Sequence, residues 1–453
     1  MGKLFGTDGV RDMANEGNMT AEMALQIGRA TAYTCKEHHA EKGTRPRIII
    51  GKDTRLSGYM LENALTAGIT SMGVDVLLLG PIPTPAVAFI TQSMRADAGL
   101  VISASHNPYF DNGIKIFGRN GYKLPDAMEA EIEDLVLSGR INNIRPVAQE
   151  VGKARRIDDA MGRYIEFCKN TFPDDMTLDG MNVVLDCSNG ATYKCAPLIF
   201  SELGADVTTI HASPNGTNIN DNCGSQHTGD LCIKIKGLNA DVGLAFDGDG
   251  DRLIAVDENG EELTGDQIIA ICTKHFKESG LLKNNLVIGT VMSNIGFHMA
   301  LQELGIETDV SDVGDRQVLE LMREKDAVLG GEDSGHIIFH NFHTTGDGIV
   351  SALQLLAIMR TTGEKLSKLA QVMKVFPQVL INVDVAEKPP LQEIVKLKQA
   401  ITEAEAELGD KGRVLIRYSG TQPMCRVMVE GPTKEQTTRI AERLVNVVKE
   451  TIG

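Results

Sequence analysis

Short apolar runs alternate with amphipathic stretches, in one order, along most of the chain. Residues 47–51 read Arg-Ile-Ile-Ile-Gly, a continuously apolar strand of the kind buried on both faces. A helical stretch follows and ends in Ser-Met-Gly-Val-Asp-Val-Leu-Leu-Leu, where Gly73 caps the helix and another strand begins. The order returns from residues 182–186 (Asn-Val-Val-Leu-Asp), through a helix, to Glu-Leu-Gly-Ala-Asp-Val-Thr-Thr-Ile around Gly204. It returns again from residues 286–289 to Glu-Leu-Gly-Ile-Glu-Thr-Asp-Val-Ser around Gly305. Strand, helix, glycine cap, strand is the pattern of a βαβ unit, and three copies with matching turns predict three homologous α/β domains.

Each copy has a further apolar strand that runs into a polar loop. Residues 96–103 lead to Ala104-Ser105-His106-Asn107-Pro108, and residues 240–246 to Asp247-Gly248-Asp249-Gly250-Asp251-Arg252. Residues 325–330 lead to Gly331-Glu332-Asp333-Ser334-Gly335-His336. Open α/β sheets bind ligands outside the carboxyl ends of their strands, so the three loops are candidate sites with different chemistry. After Phe376-Pro377 the rhythm changes. Strands over 379–385, 413–417 and 424–430 and helices over 391–408 and 434–449 predict a small α+β domain in β-α-β-β-α order. The expected division is 1–155, 156–256, 257–370 and 371–453. It gives three α/β domains with mixed sheets and one C-terminal α+β domain, packed around a central cleft, because no low-complexity linker separates them.

Composition narrows the function. A length of 453 residues fits two to four domains at roughly 100–200 residues each. Lys plus Arg is 45 against 61 Asp plus Glu, a formal charge of −16. That excludes a general binder of nucleic acid or anionic membrane and leaves room for a local cationic pocket. The eight cysteines (Cys35, Cys168, Cys187, Cys195, Cys223, Cys232, Cys272 and Cys425) form no C-x-x-C pair. They are expected to be reduced and mostly buried in a cytoplasmic protein, without a zinc or redox motif. The start, Met-Gly-Lys-Leu-Phe-Gly, lacks a signal-peptide core, and no run of about 18 apolar residues is present to span a membrane.

Asp247, Asp249 and Asp251 stand at alternate positions between glycines, a spacing that lets three carboxylates converge on a hard cation. Without one they would repel each other. An EF-hand places Glu258 at position twelve, but position six then holds Arg252 instead of glycine, and both flanks are strand-like. Ser105 is the candidate nucleophile or phosphoryl carrier at a strand end, with Lys115 and Lys123 downstream as positive charge. A capped turn is the plainer reading of Ser-His-Asn-Pro, and G-x-S-x-G is absent. Glu332 and Ser334 suit sugar hydroxyls, and His336 suits proton transfer or a charge on phosphate. In the fourth loop Ser419, Gly420 and Thr421 lie between Arg417 and Arg426, the ingredients of a phosphate cradle. Neither a Walker A sequence nor a Rossmann fingerprint is present.

Together the four loops resemble the α-D-phosphohexomutase superfamily over essentially the whole chain, in the order phosphoserine, metal, sugar and phosphate loop. Further matches are Phe5-Gly6-Thr7-Asp8-Gly9-Val10-Arg11, Asp111-Asn112-Gly113-Ile114-Lys115 and Gly216-Thr217-Asn218-Ile219-Asn220. Val313-Gly314-Asp315-Arg316 and Thr345-Gly346-Asp347-Gly348-Ile349-Val350 add to them and point to the hexosamine-phosphate branch. The resemblance implies that Ser105 is phosphorylated and that Asp247, Asp249 and Asp251 hold Mg²⁺ with an oxygen of that phosphate. It implies that Arg11, Lys115, Arg252 and His336 assist phosphoryl and proton transfer, with Lys115 or His336 as the base. Glu332 and Ser334 match sugar contacts, and Arg417, Ser419, Gly420 and Thr421 match the cradle, with Arg426 beside it. The implied reaction moves phosphate between C6 and C1 of a hexosamine through a 1,6-bisphosphate, which also serves as activator. A glucose- or mannose-phosphate mutase and a non-catalytic sugar-phosphate binder are the alternatives. The implied partners are small sugar phosphates, with no nucleic acid or membrane and with a homodimer left open. The sequence departs from the family's usual residues at Asp12 (Gly), Asp333 (Gln) and Gln422 (Glu).

Overall fold

The computed structural model describes residues 4–38, 44–419 and 423–453. The chain forms two compact units, one of Met1–Val291 with Asp309–Ala370 and one of Met292–Thr308 with Gln371–Gly453.

The first sheet of the larger unit uses β1 (Val10–Met13), β2 (Arg47–Lys52), β3 (Asp75–Pro81), β4 (Ala98–Ile102), β5 (Asp111–Gly118) and β6 (Ala154–Arg156) in the order β1-β5-β4-β2-β3-β6. β2 runs parallel to β3 and β4, and β4 then pairs antiparallel with β5. The second sheet repeats this with β7 (Asn182–Asp186), β8 (Asp206–Ile210), β9 (Val242–Phe246), β10 (Leu253–Val256) and β11 (Glu262–Leu263), ordered β11-β10-β9-β7-β8. β7 is parallel to β8 and β9, and β9 is antiparallel to β10. The third is ordered β13-β12-β14-β15, from β12 (Leu286–Thr290), β13 (Glu307–Ser311), β14 (Leu329–Gly331) and β15 (Ile337–Phe339). β12 is parallel to β14, which is antiparallel to β15.

One rule follows from the three sheets. Each chemical loop leaves the carboxyl end of a parallel strand (β4, β9 or β14) and returns as an antiparallel neighbour. The loops are hairpin ends on parallel sheets, which makes the sheets mixed. The apolar runs explain the burial: Ile48, Ile50, Leu100 and Ile102 of the first sheet are sealed from solvent against Leu61 and Leu65. The third strand begins later than the apolar pattern suggests. The helix Asp315–Lys325 consumes the start of that run and ends at Asp326 in a left-handed conformation, φ 57°.

The helix Gly348–Thr362 is buried from Gly348 to Met359. Asp347 caps it, accepting from the amides of Ile349 at 2.9 Å and Val350 at 3.0 Å, and Tyr164 donates its hydroxyl to the other carboxylate oxygen at 2.9 Å. Burial outweighs these hydrogen bonds and pushes the Asp347 carboxyl up to about 7. The folded chain therefore holds this proton more tightly than the unfolded chain, where an aspartate titrates near about 3.9. The stabilisation is complete below that lower value and is lost as pH rises through about 7. Asp347→Asn keeps an acceptor for the cap and removes the charge. Melting temperatures of wild type should fall relative to D347N between about pH 4 and about pH 7, and a constant gap would refute the raised carboxyl there.

In the smaller unit β16 (Gln378–Asp384), β17 (Arg413–Tyr418) and β18 (Met424–Glu430) form an antiparallel sheet ordered β16-β18-β17. The helices Val395–Leu408 and Lys434–Ile452 cover it through Leu397, Ala404, Ile440, Leu444 and Val448. The expected helix over 391–408 is broken. A short 3-10 turn, Leu391–Glu393, follows Pro390, and Ile394 is extended before the helix proper begins. Glu430 binds the helix Ile295–Glu303 to this unit, accepting from the Ile295 amide at 3.0 Å and from Arg413 Nε at 2.6 Å.

Candidate active site

The three hairpin ends of the larger unit meet. Ser105 lies just past β4 with φ 51°, a left-handed conformation rare for a residue with a side chain, and it is 2% exposed. Its Oγ donates to Asp247 Oδ2 at 2.6 Å and lies 3.3 Å from His106 Nδ1. Burial, then the charges of Arg252 and Arg11, bring His106 down to about 4. That leaves the ring beside Ser105 neutral at pH 7.

The loop carrying Ser105 is braced from below. The fully buried Arg55 donates to the carbonyl of Ser105 at 3.2 Å and to that of Asn107 at 2.5 Å. Asn220 Nδ2 reaches the same two carbonyls at 2.8 and 3.0 Å. Asp53 pairs with Arg55 and accepts from Ser103 Oγ at 2.6 Å, and the Ser105 amide donates to Ser103 Oγ at 2.9 Å. Gly248 is needed where the metal-type loop passes this brace: a Cβ there would lie 2.6 Å from the Ser105 carbonyl oxygen and 2.7 Å from Asn220 Nδ2.

Asp247, Asp249 and Asp251 are buried, and one ligand atom from each lies within 4.8 Å of the others. Asp249 Oδ2 accepts from Thr84 Oγ1 at 2.7 Å and from Lys115 Nζ at 3.1 Å. Asp249 Oδ1 and Asp251 Oδ1 are buried without a hydrogen-bond partner among the described residues. Burial, then Asp251 and Asp249, hold the Asp247 carboxyl well above the usual carboxylate range. Burial also acts to raise Asp251, but Lys115, His336 and Arg252 outweigh it and hold that carboxyl low. Two orphaned oxygens and three crowded carboxyls form an all-oxygen donor set that fits a hard divalent cation. A second group, Asp186, His211 and Cys223, also converges within 4.8 Å. There Asp186 already accepts from Ser188 N at 2.9 Å, Gly224 N at 3.0 Å and His211 Nδ1 at 3.0 Å, so its oxygens are occupied.

Cations surround the triad. Lys115, 3% exposed, has Nζ 3.2 Å from Asp8, 3.1 Å from Asp249 and 3.6 Å from Asp251. Burial alone would lower its ammonium, but Asp249, Asp8 and Asp251 reverse that and hold it above its ordinary value. Arg11 pairs with Asp8. The Arg252 amide donates to Asp247 Oδ1 at 3.2 Å, and Arg252 Nε lies 3.9 Å from Asp251.

The third loop joins the second through the Leu253 amide, which donates to the Gly335 carbonyl at 3.0 Å. His336 is buried, with Nδ1 3.7 Å from Asp251 and Nε2 without a hydrogen-bond partner among the described residues. Burial disfavours its cation, but Asp251, Asp315 and Glu332 raise it overall. Gly346 lies against this ring, where a Cβ would come within 2.5 Å of Cε1 and Nε2. Glu332 Oε1 accepts from the Gly314 amide at 3.0 Å, while Ser334 Oγ and Asp333 Oδ1 are buried without partners among the described residues.

In the smaller unit Arg417 and Arg426 face each other across the β17–β18 pair. Ser419 is buried, its amide donates to the Met424 carbonyl at 2.8 Å, and its carbonyl accepts from Lys388 Nζ at 2.7 Å. Gly420 and Thr421 of the expected cradle, and Gln422, lie outside the described residues.

The structure thus brings together Ser105, the three aspartates, Arg11, Lys115, Arg252 and His336. Sequence reasoning missed the brace of Asp53, Arg55 and Asn220, the contacts of Thr84, and Lys388, which lies between the expected strand over 379–385 and the expected helix over 391–408. Asn220, Asp8 and Asp315 carried a signal, since each sits in a quoted motif without an assigned role.

The chain matches all four domains of the phosphoglucomutase/phosphomannomutase family. Alpha/beta/alpha domain I matches over residues 2–142, domain II over 162–260, domain III over 264–376 and the C-terminal domain over 380–447. It is 59% identical over 453 residues to a phosphoglucosamine mutase of Syntrophus aciditrophicus, with both chains covered in full. It is 58% identical over 454 residues to a phosphoglucosamine mutase of Syntrophobacter fumaroxidans, again with 100% of each covered. Solved structures share the fold. A phosphoglucomutase/phosphomannomutase family protein of Burkholderia thailandensis has a TM-score of 0.82 at 23% identity, covering 99% of this chain and 98% of that one. An N-acetylphosphoglucosamine mutase of Aspergillus fumigatus, solved with GlcNAc-6P and magnesium, has a TM-score of 0.67 at 16% identity, covering 100% of this chain and 96% of that one.

Proposed function

The chain belongs to the phosphoglucomutase/phosphomannomutase family, and from that premise we propose that it interconverts glucosamine 6-phosphate and glucosamine 1-phosphate. The observation that carries the reading is the 2.6 Å hydrogen bond from Ser105 Oγ into the buried aspartate triad. A hydroxyl held against a cation-type site is placed to carry a phosphoryl group. The naming of relatives at 59% and 58% identity supports the amino sugar as substrate.

In this reading phospho-Ser105 gives its phosphoryl group to the free hydroxyl of the sugar phosphate. The Ser105 Oγ–P bond breaks, the sugar O–P bond forms, and the hydroxyl proton passes to a base. The resulting 1,6-bisphosphate turns over and returns its other phosphate to Ser105. Asp247, Asp249 and Asp251 would hold Mg²⁺, whose charge offsets that of the transferring phosphoryl oxygens. Arg11, Lys115 and Arg252 supply the remaining positive charge. Lys115 is held by three carboxylates and serves as a fixed cation, which leaves His336 to handle the proton at Nε2, with Asp251 stabilising the imidazolium. Glu332 and Ser334 contact the sugar, and Arg417, Ser419, Gly420, Thr421 and Arg426 cradle its resident phosphate. A hexosamine or hexose 1,6-bisphosphate serves as activator. We keep the domain limits 1–155, 156–256, 257–370 and 371–453, and we place the reaction in the cytoplasm. The eight free cysteines support that placement, and no helix among the described residues is long and apolar enough to cross a membrane.

The test is a panel of glucosamine, glucose and mannose 6-phosphates, each with Mg²⁺ and its 1,6-bisphosphate. Glucosamine 6-phosphate should give the highest kcat/KM. A higher value for glucose or mannose would move the chain to another branch of the family, and no turnover at all would leave a binding protein. Asp333 refines the panel. Its Oδ1, without a hydrogen-bond partner among the described residues, would accept from the 2-ammonium of glucosamine, where glucose offers only a hydroxyl. A charge-assisted hydrogen bond exceeds a neutral one by about 1 kcal/mol, so Asp333→Asn should cut the glucosamine-to-glucose ratio of kcat/KM several-fold. An unchanged ratio would assign the choice of sugar to other residues.

A further inference from the structure

We propose that Asp315 is a positioning residue for phosphoryl transfer, acting through Lys123 and Asp8 on Lys115 and Arg11. The proposal rests on the mutase reading above and assigns a task to two motifs, residues 5–11 and 313–316, whose acidic members have no role in it.

The side chains form one line of alternating charge. Asp315 Oδ2 lies 2.6 Å from Lys123 Nζ, and Lys123 also pairs with Asp8. Asp8 pairs with Arg11 and lies 3.2 Å from Lys115 Nζ, which then reaches Asp249 at 3.1 Å and Asp251 at 3.6 Å. The line runs from the third domain to the first and ends on the metal-type loop of the second. Lys115 is 3% exposed and Lys123 11%, against 26% for Asp8 and 20% for Asp315, so water screens these contacts less than it screens surface pairs.

Asp8 is the member shared between two demands. Lys123 draws it to one side, and Lys115 with Arg11 to the other. Asp315 satisfies part of Lys123 and so leaves Asp8 available to the two reacting cations. Without the Asp315 charge, Lys123 takes a larger share of Asp8. Lys115 then leans further onto Asp249 and Asp251, the oxygens that a divalent cation needs. The same turn touches the sugar loop independently, because the Gly314 amide donates to Glu332 Oε1 at 3.0 Å. That contact is made by backbone and survives an isosteric change at Asp315. Arg316 anchors the turn to the first domain through Asp126 and through Glu129 Oε1 at 2.8 Å.

The inference gives a signature that a merely structural aspartate would not. Asp315→Asn should lower kcat by about tenfold to a hundredfold, the scale of a misplaced reacting group, and leave KM for the sugar phosphate within about threefold. It should also weaken Mg²⁺ binding measured by calorimetry without substrate. A cavity of about 180 Å³ lined by Asp315 and Lys123 gives an added methylene room, so Asp315→Glu should recover most of both losses. Asp8 and Asp315 act in series, so Asp8→Asn/Asp315→Asn should lose no more than Asp8→Asn alone. Wild-type kcat and Mg²⁺ affinity in Asp315→Asn would overturn the inference, as would losses that add in full in the double variant. If wild type turns over no sugar phosphate, the mutase reading fails. The Mg²⁺ titrations then still decide whether the line of charges exists.

Discussion

Ser105→Ala should lose about four orders of magnitude or more in interconversion, because in the proposed mechanism it removes the atom that would carry the phosphoryl group. The fold should survive. Ser105 is held by its backbone, with Arg55 and Asn220 on its carbonyl, and alanine tolerates a φ of 51° about as well as serine does. Ser103 is the internal control. It is equally buried and two residues away, but its hydroxyl is spent on Asp53 at 2.6 Å. Intact mass and peptide mapping of wild type should place phosphate on Ser105 and none on Ser103. Ser103→Ala should weaken the brace and still be phosphorylated. Full activity in Ser105→Ala, or phosphate found on another residue, would sink the mechanism.

The larger features of this site are readable along the chain because they are local. A parallel strand needs an apolar run, a helix end needs its glycine, and a polar loop after a strand stands out against both. That is why Ser105, the aspartate triad and His336 are visible before any fold is known. The brace is different in kind. Arg55 reaches Asn107 across 52 positions, Thr84 reaches Asp249 across 165, and Asn220 reaches Ser105 across 115. No periodicity records such pairings, because they arise only when separate sheets deliver their hairpin ends to one place. Residues 391–408 show the opposite failure. Their composition suits one helix, and the extended backbone at Ile394 breaks it, a local event that helix propensity does not register. Lys388 gives no sequence signal for a related reason. A lysine beside two prolines looks like surface loop until its Nζ is seen on the Ser419 carbonyl.

Removal of divalent cations should stop turnover, and Mg²⁺ should restore it. The electrostatics make the demand before any substrate arrives. Three buried carboxylates converge, Asp247 is driven toward its neutral form by burial and its two neighbours, and two oxygens have no hydrogen-bond donor among the described residues. A hard cation removes the repulsion and satisfies both oxygens at once. Binding must therefore stabilise the folded chain as well as activate it. At a hundredfold excess over Kd the gain is about 2.7 kcal/mol, a clear rise in melting temperature. Asp249→Asn is the sharpest probe of the three. Its Oδ2 side, toward Thr84 and Lys115, has an isosteric replacement, and the charge that a cation needs is gone. That variant should lose the Mg²⁺-dependent rise in melting temperature and at least about a hundredfold in kcat, in line with several kcal/mol of lost transition-state charge stabilisation. Oxygen donors also set the order of metals: Mg²⁺ and Mn²⁺ should support turnover, whereas a set containing thiolate or imidazole would favour zinc. Turnover that survives exhaustive chelation would contradict this account, as would an Asp249→Asn enzyme still stabilised by Mg²⁺ to the wild-type extent.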